Sequence, residues 1–212
     1  MADVSDDAHE EAEPEAAATN DRESAGHARE SDDDDNARGT PDADGALQAS
    51  QLRQQLDHTW TLYYHDPTNS QWDDSSYTRV MRVQTVGELL AMLLSMQRMA
   101  FHHGMFFLMR ENIFPTWEDP LNRTGGCWSY KVQAKDVSKV WFEVALHLAM
   151  GELSIVEANV LNGISLSPKR GFCIMKIWNQ HARYSCAAQC LSRTDGVLNH
   201  PNALYKTFAG ES

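Results

Sequence analysis

The sequence predicts an α+β fold in which helices cover one face of an antiparallel sheet. Short segments of alternating polar and apolar residues, typical of strands, are joined by connections of hairpin length. Three further segments have apolar residues at helical spacing and lie far apart in the chain. The strict alternation of strand and helix that builds a parallel sheet is absent. The strands are therefore expected to pair antiparallel.

The first 50 residues are predicted to form a disordered acidic tail ahead of a folded domain at 51–212. They hold sixteen Asp or Glu, three arginines and no aromatic residue. Such a composition cannot bury enough apolar surface to build a core. The rest of the chain has fourteen acids and fifteen Lys or Arg. The formal net charge of -12 thus belongs to the tail and does not argue against an anionic ligand.

Two strands and a helix are predicted to open the domain. TWTLYY at 59–64 is rich in aromatic and β-branched residues, and YTRVMRV at 77–83 alternates as a strand with one solvated face. The turn-forming HDPTNS lies between them. Thr85 and Glu88 then have the spacing of a capping box. A helix is expected to follow, with apolar residues at helical intervals from Val86 onward.

The middle of the domain is predicted to hold two strands and a second helix. MFFLMR at 105–110 leads into the loop FPTWEDP at 114–120, and CWSYKVQ at 127–133 alternates again after two glycines. Asp136 is expected to cap the second helix, and Gly151 is placed to end it.

The remaining chain predicts two more strands, a third helix and a short last strand. These elements are expected at 155–166, 172–178, 182–193 and 204–208. The sequence contains no internal repeat.

Composition also limits the location and the metal chemistry of the protein. No apolar run approaches the roughly 18 to 20 residues that a membrane span needs, and the acidic start does not resemble a signal peptide. We expect a cytosolic protein, with the nucleus as a second location, and no membrane association.

Free thiols are expected, and a zinc site using two of the cysteines with a nearby histidine is the alternative. The four cysteines are Cys127, Cys173, Cys186 and Cys190.

The loop FPTWEDP places Trp117 and Glu118 between two prolines, where neither a helix nor a central strand can continue. An indole in a rigid loop either packs into the core or presents its face to a ligand. A second tryptophan, Trp72, also lies in a predicted loop. If both indoles face one slot, they can hold a flat base between them. A cationic base such as 7-methylguanine would gain a further cation-π attraction.

Glu118 is expected to select guanine. The guanine edge offers two adjacent donors, the ring NH and the exocyclic amine, which match the two oxygens of a carboxylate. Adenine does not present that pair. A phosphate on the ligand would need cations, and Lys169 with Arg170 lies in a turn ahead of a strand. A merely solvated basic turn is the alternative for this pair.

These residues occur in an order and spacing that resembles the translation initiation factor 4E family, which binds the 7-methylguanosine cap of messenger RNA. The resemblance spans about 52–208 and rests on WTLYY, Trp72, TVGELL, PTWEDP followed by GGCW, VWFEVALHLAMGE and KIW. It implies a curved sheet of about eight strands with three helices on the convex face. It also implies a monomer without a cofactor.

The resemblance implies a role for each candidate residue. Trp72 and Trp117 are similar to the two stacking indoles, and Glu118 to the carboxylate at the guanine edge. Trp178 corresponds to the aromatic residue that touches the methyl group, and the backbone NH of Trp117 to the donor for the guanine oxygen. Lys169 occupies the place of a phosphate-contacting arginine.

The phosphate positions depart from the family pattern. Gly171 and Ile174 stand where the family keeps phosphate-binding lysines, and Cys127 replaces a basic residue after the two glycines. A shift of one residue would let Arg170 compensate. The sequence therefore predicts the aromatic part of the site more firmly than the phosphate part.

The resemblance also implies a partner on the convex helical face, either a scaffold initiation factor or an inhibitory 4E-binding protein. Such partners dock a short helix there. Val86 matches the valine of the family, whereas Leu90 stands where a tryptophan normally supports the partner. Val86, Leu90 and Leu94 are spaced by four, so they form either a docking stripe or part of the core.

Three tryptophans outside the loops, Trp60, Trp128 and Trp141, are predicted to lie in the core. No arrangement of nucleophile and base, and no spacing of carboxylates for a metal, supports turnover. A binding protein active in translation initiation is therefore predicted. The alternatives are a repressor that sequesters caps and a homologue that acts mainly through protein partners.

Overall fold

The computed structural model describes residues 43–96, 101, 103–154, 156, 160–185, 191, 196–198 and 200–209. Seven strands form one sheet, and three α-helices accompany it in this part of the chain. The strands are β1 (Gln55–His65), β2 (Tyr77–Thr85), β3 (Met105–Arg110), β4 (Gly126–Gln133), β5 (Leu161–Lys169), β6 (Phe172–Asn179) and β7 (Leu204–Thr207). The helices are α1 (Ala43–Leu52), α2 (Val86–Met96) and α3 (Val137–Ala149).

The sheet is antiparallel throughout, with the strand order β2-β1-β3-β5-β6-β4-β7. This confirms the predicted fold class and every predicted strand, although the described residues hold seven strands rather than about eight. The strand predicted from 155 begins at Leu161. Residues 155 and 157–159 lie outside the described part.

The predicted capping box begins α2. The hydroxyl of Thr85 accepts a hydrogen bond from the Glu88 NH at 3.2 Å, and the Glu88 carboxylate accepts one from the Thr85 NH at 3.1 Å. A further bond from the Gln84 NH, at 2.7 Å, ends on the same carboxylate. These bonds hold the pKa of Glu88 below its usual range. The turn from β2 into α2 is therefore fixed by local hydrogen bonds.

The start of α3 differs from the prediction. Asp136 stands at the N-cap position but makes no capping hydrogen bond with its side chain. A 3-10 turn, Ala134–Asp136, precedes the helix and leaves Asp136 with φ -100° and ψ -7°. A capping side chain needs an extended backbone, so Asp136 cannot fold back onto the first turn. The predicted end is confirmed, because Gly151 has φ +73° and its NH bonds to the Leu148 carbonyl.

The set of helices also differs from the prediction. The segment predicted as disordered to residue 50 is helical from Ala43, as α1, while residues 1–42 lie outside the described part. The third helix predicted at 182–193 opens as a 3-10 turn, Ala182–Tyr184. Residues 186–190 and 192–195 of that prediction are not described. Helix α1 packs so near α2 that a Cβ on Gly87 would lie 2.8 Å from the Leu52 carbonyl oxygen.

The two faces of the sheet are built differently. One face packs against α2 and α3 and forms the main core. That core includes Trp60, Trp128 and Trp141, each 1% exposed, which confirms their predicted burial. The opposite face carries a smaller apolar cluster. Its buried members are Tyr63, Phe107, Met109, Ile113, Cys127, Trp178 and Phe208.

A helix that crosses a lipid bilayer must be both long and apolar. Within the described residues, no helix is both long and apolar enough to cross a membrane.

Candidate ligand-binding cavity

A cavity of about 220 Å³ opens on the face of the sheet opposite α2 and α3. Four of the predicted site residues line it: Trp72, Trp117, Glu118 and Trp178. They come from two loops and from β6, so the fold brings together residues that are far apart in sequence. Half of the remaining wall is aromatic or apolar and consists of Tyr77, Met105, Phe107 and Pro115. Such a wall suits a flat ligand.

The loop that carries Trp117 is held by Asp119. Its carboxylate accepts hydrogen bonds from the Phe114 NH at 2.9 Å and from the Leu121 NH at 2.8 Å. Its backbone carbonyl accepts two more, from Asn122 and Arg123, both at 2.9 Å. The acidic residue after Glu118 therefore shapes the loop, and Glu118 is left exposed to the cavity.

Asn122 ties the same loop to the sheet. Its fully buried amide donates to the carbonyls of Phe114, at 2.9 Å, and Thr116, at 2.8 Å. In turn, the buried amide of Asn162 on β5 donates to Asn122 Oδ1 at 2.9 Å and to the Leu121 carbonyl at 2.7 Å. Hydrogen bonds between buried groups are costly to break. Trp117 therefore stands on a rigid support although it is 38% exposed.

Trp72 is held in place by stacking on a neighbouring ring. Its ring lies parallel to that of His65, with centroids 4.2 Å apart and planes 5° from parallel. His65 is fully buried and its Nε2 lies 2.9 Å from the Gln71 carbonyl, which the Nε2–H tautomer can use as an acceptor. The Trp72 indole is still 53% exposed. An indole with a histidine on one face keeps area for a second ring.

Trp178 differs from the two loop indoles because it is 6% exposed. Its indole NH donates to Ser165 Oγ at 3.0 Å, and its ring lies 5.0 Å from that of Phe208. Since this NH is already satisfied, Trp178 offers the cavity an apolar surface only.

The charge in the cavity comes from two side chains, Glu118 and Lys176. Burial raises the pKa of Tyr77 to about 12, and the nearby charges of Glu118 and Asp74 add to the shift. Tyr77 therefore stays neutral at physiological pH. Among the described residues, no ion pair joins Glu118 to Lys176.

The predicted phosphate residues lie outside the cavity. Lys169 ends β5 and Arg170 follows it in the tight turn to β6; both are exposed, and neither lines the wall. Lys176, which was not predicted, lines it instead. Alternation along FCIMKIW could have found it, because residues two apart in a strand share a face and Trp178 had already been assigned to the site.

The predicted partner stripe lies on the outside of α2. The buried side of the helix consists of Leu89, Met92, Leu93 and Met96. Val86 and Leu90 are half-buried, whereas Leu94 is 56% exposed. The sequence left two interpretations of the stripe, a docking surface and a part of the core. The exposure of these residues excludes the core.

Two of the cysteines can be placed. Cys127 and Cys173 are buried and free, and burial raises the pKa of both thiols. Cys186 and Cys190, and hence the alternative zinc site, lie outside the described residues.

Comparison with known families identifies one match over most of the domain. The family model described as Eukaryotic initiation factor 4E matches residues 55–208. The match begins with the first residue of β1 and ends just after β7. It therefore covers the sheet and the whole cavity but not α1.

Similar sequences come from several eukaryotes. The chain is 27% identical over 139 residues to eukaryotic translation initiation factor 4E of Saccharomyces cerevisiae, which is 61% of this chain and 63% of that protein. It is 26% identical over 157 residues to the Eremothecium gossypii protein of the same name, covering 69% and 72% respectively. A factor of Oryza sativa, named NCBP, is 32% identical over 93 residues, or 44% of this chain and 39% of the relative. The chain thus spans less than two thirds of the yeast relative.

Solved structures share the fold. Schistosome eIF4E complexed with m7GpppG and 4E-BP superposes with a TM-score of 0.57 and 20% identity, covering 63% of this chain and 76% of that one. Ascaris suum eIF4E-3 with an m7G cap gives a TM-score of 0.55 and 21% identity, with 63% and 77% covered. At this identity the likeness concerns the fold alone.

Proposed function

Because this chain belongs to the eukaryotic initiation factor 4E family, we propose that it binds the 7-methylguanosine cap of messenger RNA and acts in translation initiation. One observation carries the proposal. Trp72, Trp117, Glu118 and Trp178, predicted as a set from the sequence, line one cavity. Similar structures of schistosome and Ascaris proteins are complexes with cap ligands, which supports this ligand.

The base binds between Trp72 and Trp117. Each stacking contact contributes about 1 to 3 kcal/mol. The positive charge that methylation places on guanine adds a cation-π attraction of about 0.5 to 2 kcal/mol. Both indoles are exposed enough to offer a ring face, and both are held by contacts that do not depend on the ligand. Little conformational entropy is then lost on binding.

Glu118 selects guanine by accepting hydrogen bonds from the ring NH and the exocyclic amine. The carboxylate is exposed in the cavity, and it takes part in no ion pair with the described residues. The backbone NH of Trp117 donates to the guanine oxygen. A bidentate contact of this kind discriminates between bases by about 1 to 3 kcal/mol.

Trp178 contacts the methyl group. Its indole NH is used by Ser165, so an apolar methyl group is a better match for this wall than a hydrogen-bonding group. The cap is bound without chemical turnover. Prolonged incubation with cap analogue and magnesium should therefore leave the analogue intact.

The partner is a scaffold initiation factor or an inhibitory 4E-binding protein, docked on the stripe of Val86, Leu90 and Leu94. The exposure of Leu94 supports this assignment. The partner thus binds α2, on the opposite side of the sheet from the cavity. We further propose that the protein acts as a monomer in the cytosol, with the nucleus as a second location.

Retention on an immobilised cap analogue tests the function. The full chain should bind, and 7-methylguanosine triphosphate should release it whereas plain guanosine triphosphate should not. Glu118→Gln is the variant for selectivity, because an amide offers one acceptor and turns a donor toward a donor. Its affinity for the cap and its preference for guanine over other purines should both fall. Failure of the unmodified chain to bind the resin would refute the proposal.

A further inference from the structure

Two strands beside the cavity carry lysines that have no role in the proposed recognition of the base. Lys176 lines the cavity from β6. It shares its face of that strand with Trp178 on one side and Ile174 on the other, since side chains two residues apart point the same way. Ile174 is a position where the sequence resemblance implied a phosphate-binding lysine.

The next strand supplies a second lysine at the same place. Lys131 on β4 is the direct cross-strand neighbour of Ile174. Neighbouring strands lie about 4.8 Å apart, so Lys131 and Lys176 stand on two sides of the same isoleucine. Lys131 is exposed, and its ammonium group lies 4.5 Å from the centre of the Phe172 ring.

No carboxylate faces these lysines from the two strands. Alternation places one set of side chains from β4 and one from β6 on this face. From β4 they are Cys127, Ser129, Lys131 and Gln133, and from β6 they are Phe172, Ile174, Lys176 and Trp178. Neighbouring like charges repel each other unless an anion lies between them. The surface thus suits a negatively charged group.

The buried thiol of Cys127 supports the same distribution of charge. Burial raises its pKa, while the positive charges of Lys176 and of Lys206 on β7 act against that rise. Lys206 is the cross-strand partner of Cys127 on β7. Positive charge therefore extends from the cavity wall across β4 to the edge of the sheet.

We propose that the phosphate chain of the cap ligand leaves the base pocket across β6 at Ile174, between Lys176 and Lys131. This inference rests on the proposed function. Lys176, in the cavity wall, contacts the phosphate nearest the ribose. Lys131, one strand further from the cavity, contacts the outer phosphates. The two lysines replace the cations that are missing at Cys127, Gly171 and Ile174.

Binding of three ligands of increasing charge tests the path: 7-methylguanosine, its 5′-monophosphate and its 5′-triphosphate. Lys176→Met should weaken the monophosphate and the triphosphate about tenfold or more, the usual range for a hydrogen bond to a charged group, and should leave the nucleoside unchanged. Lys131→Met should weaken the triphosphate alone. Each variant should also flatten the dependence of triphosphate affinity on salt, because one counterion-releasing contact is lost.

Arg53→Met is the control. It removes one positive charge at an exposed position just after α1, which packs against α2 on the covered side of the sheet, and it should leave all three affinities unchanged. Ile174→Lys should tighten the triphosphate but not the nucleoside, because it adds a cation directly under the proposed path.

The outcomes separate the two proposals. Equal losses for the nucleoside and the triphosphate in Lys176→Met would show that Lys176 serves the base or Glu118, and would overturn the path. Loss of triphosphate affinity in Lys169→Met, with Lys131→Met unaffected, would return the path to the turn. If the unmodified chain binds none of the ligands, the proposed function fails and the path fails with it.

Discussion

The two faces of the sheet use the same amino acid for different purposes. On the face covered by α2 and α3, Trp60, Trp128 and Trp141 are 1% exposed and belong to the main apolar core. On the open face, Trp72 and Trp117 are 53% and 38% exposed and line a cavity. The first group lies in strands and a helix, and the second in loops.

This difference shows what a tryptophan contributes in each setting. A buried indole stabilises the fold through the area that it removes from water, whereas an exposed indole in a rigid loop leaves that area for a ligand. Polar side chains provide the rigidity of the open face. Stability and binding should therefore respond to different substitutions, and the predictions below test that separation.

The largest effect is expected on the covered face. Trp141→Ala should lower the free energy of unfolding by about 3 to 5 kcal/mol, the usual range for deleting a buried large aromatic side chain. Urea denaturation followed by circular dichroism measures it. Trp141→Phe should lose less, and a loss below about 1 kcal/mol in the alanine variant would mean that Trp141 is not a main contributor to the core.

The support of the binding loop should affect both properties. Asn122→Ala removes two hydrogen bonds to loop carbonyls and leaves Asn162 short of an acceptor. A loss of about 1 to 3 kcal/mol in unfolding free energy is expected, together with weaker cap binding. Thermal unfolding and cap titration should be run on the same samples. The exposed Asn202→Ala variant is the control, and unchanged cap affinity in Asn122→Ala would show that the loop needs no such support.

Removal of a loop indole should affect binding alone. Trp117→Ala should weaken cap binding by about 1 to 3 kcal/mol, the contribution of one stacking face. Its unfolding free energy should change by less than about 0.5 kcal/mol, as for other exposed positions. Calorimetry and denaturation measure the two quantities. Trp72→Ala should lose similar affinity, and full cap affinity in both variants would contradict the site.

The smallest effect is expected on the outside of α2. Leu90→Trp restores the residue type that family partners normally meet, and it should improve binding of a standard scaffold peptide by about 1 kcal/mol. Cap affinity should not change, because the stripe lies on the other side of the sheet. Calorimetry with the peptide measures the change in peptide affinity. Tight binding of the same peptide to the unmodified chain would show that Leu90 is an adequate substitute.

Local patterns in the sequence predicted most of the fold and four of the twelve residues that line the cavity. The capping box at Thr85 and Glu88 formed as predicted, because both partners lie within one turn of each other. The cap at Asp136 did not form, because a 3-10 turn changed the backbone at that residue. Helix α1 was missed, since its residues are all exposed where described and leave no apolar periodicity.

The rest of the site depended on contacts between distant residues. The hydrogen bond from Asn162 to Asn122 joins positions 40 residues apart, and no spacing rule links them. Alternation along β6 could have placed Lys176 on the face of Trp178, but only the strand pairing shows that Lys131 on β4 lies beside that face. Sequence patterns therefore identified residues whose chemistry is distinctive, such as Trp117 and Glu118, but not the residues that orient them.

The strand order has a further consequence for how the protein is made. β3 and β4 are consecutive in the chain, but β5 and β6 lie between them in the sheet. The loop with Trp117 joins β3 to β4, and Thr124 near its end bonds to the Gln180 carbonyl at 3.0 Å. At a ribosomal rate of about 5 to 20 residues per second, β6 is synthesised several seconds after this loop. An unfinished chain therefore lacks an assembled cavity, and the proposed cap binding can begin only after β6 has been synthesised.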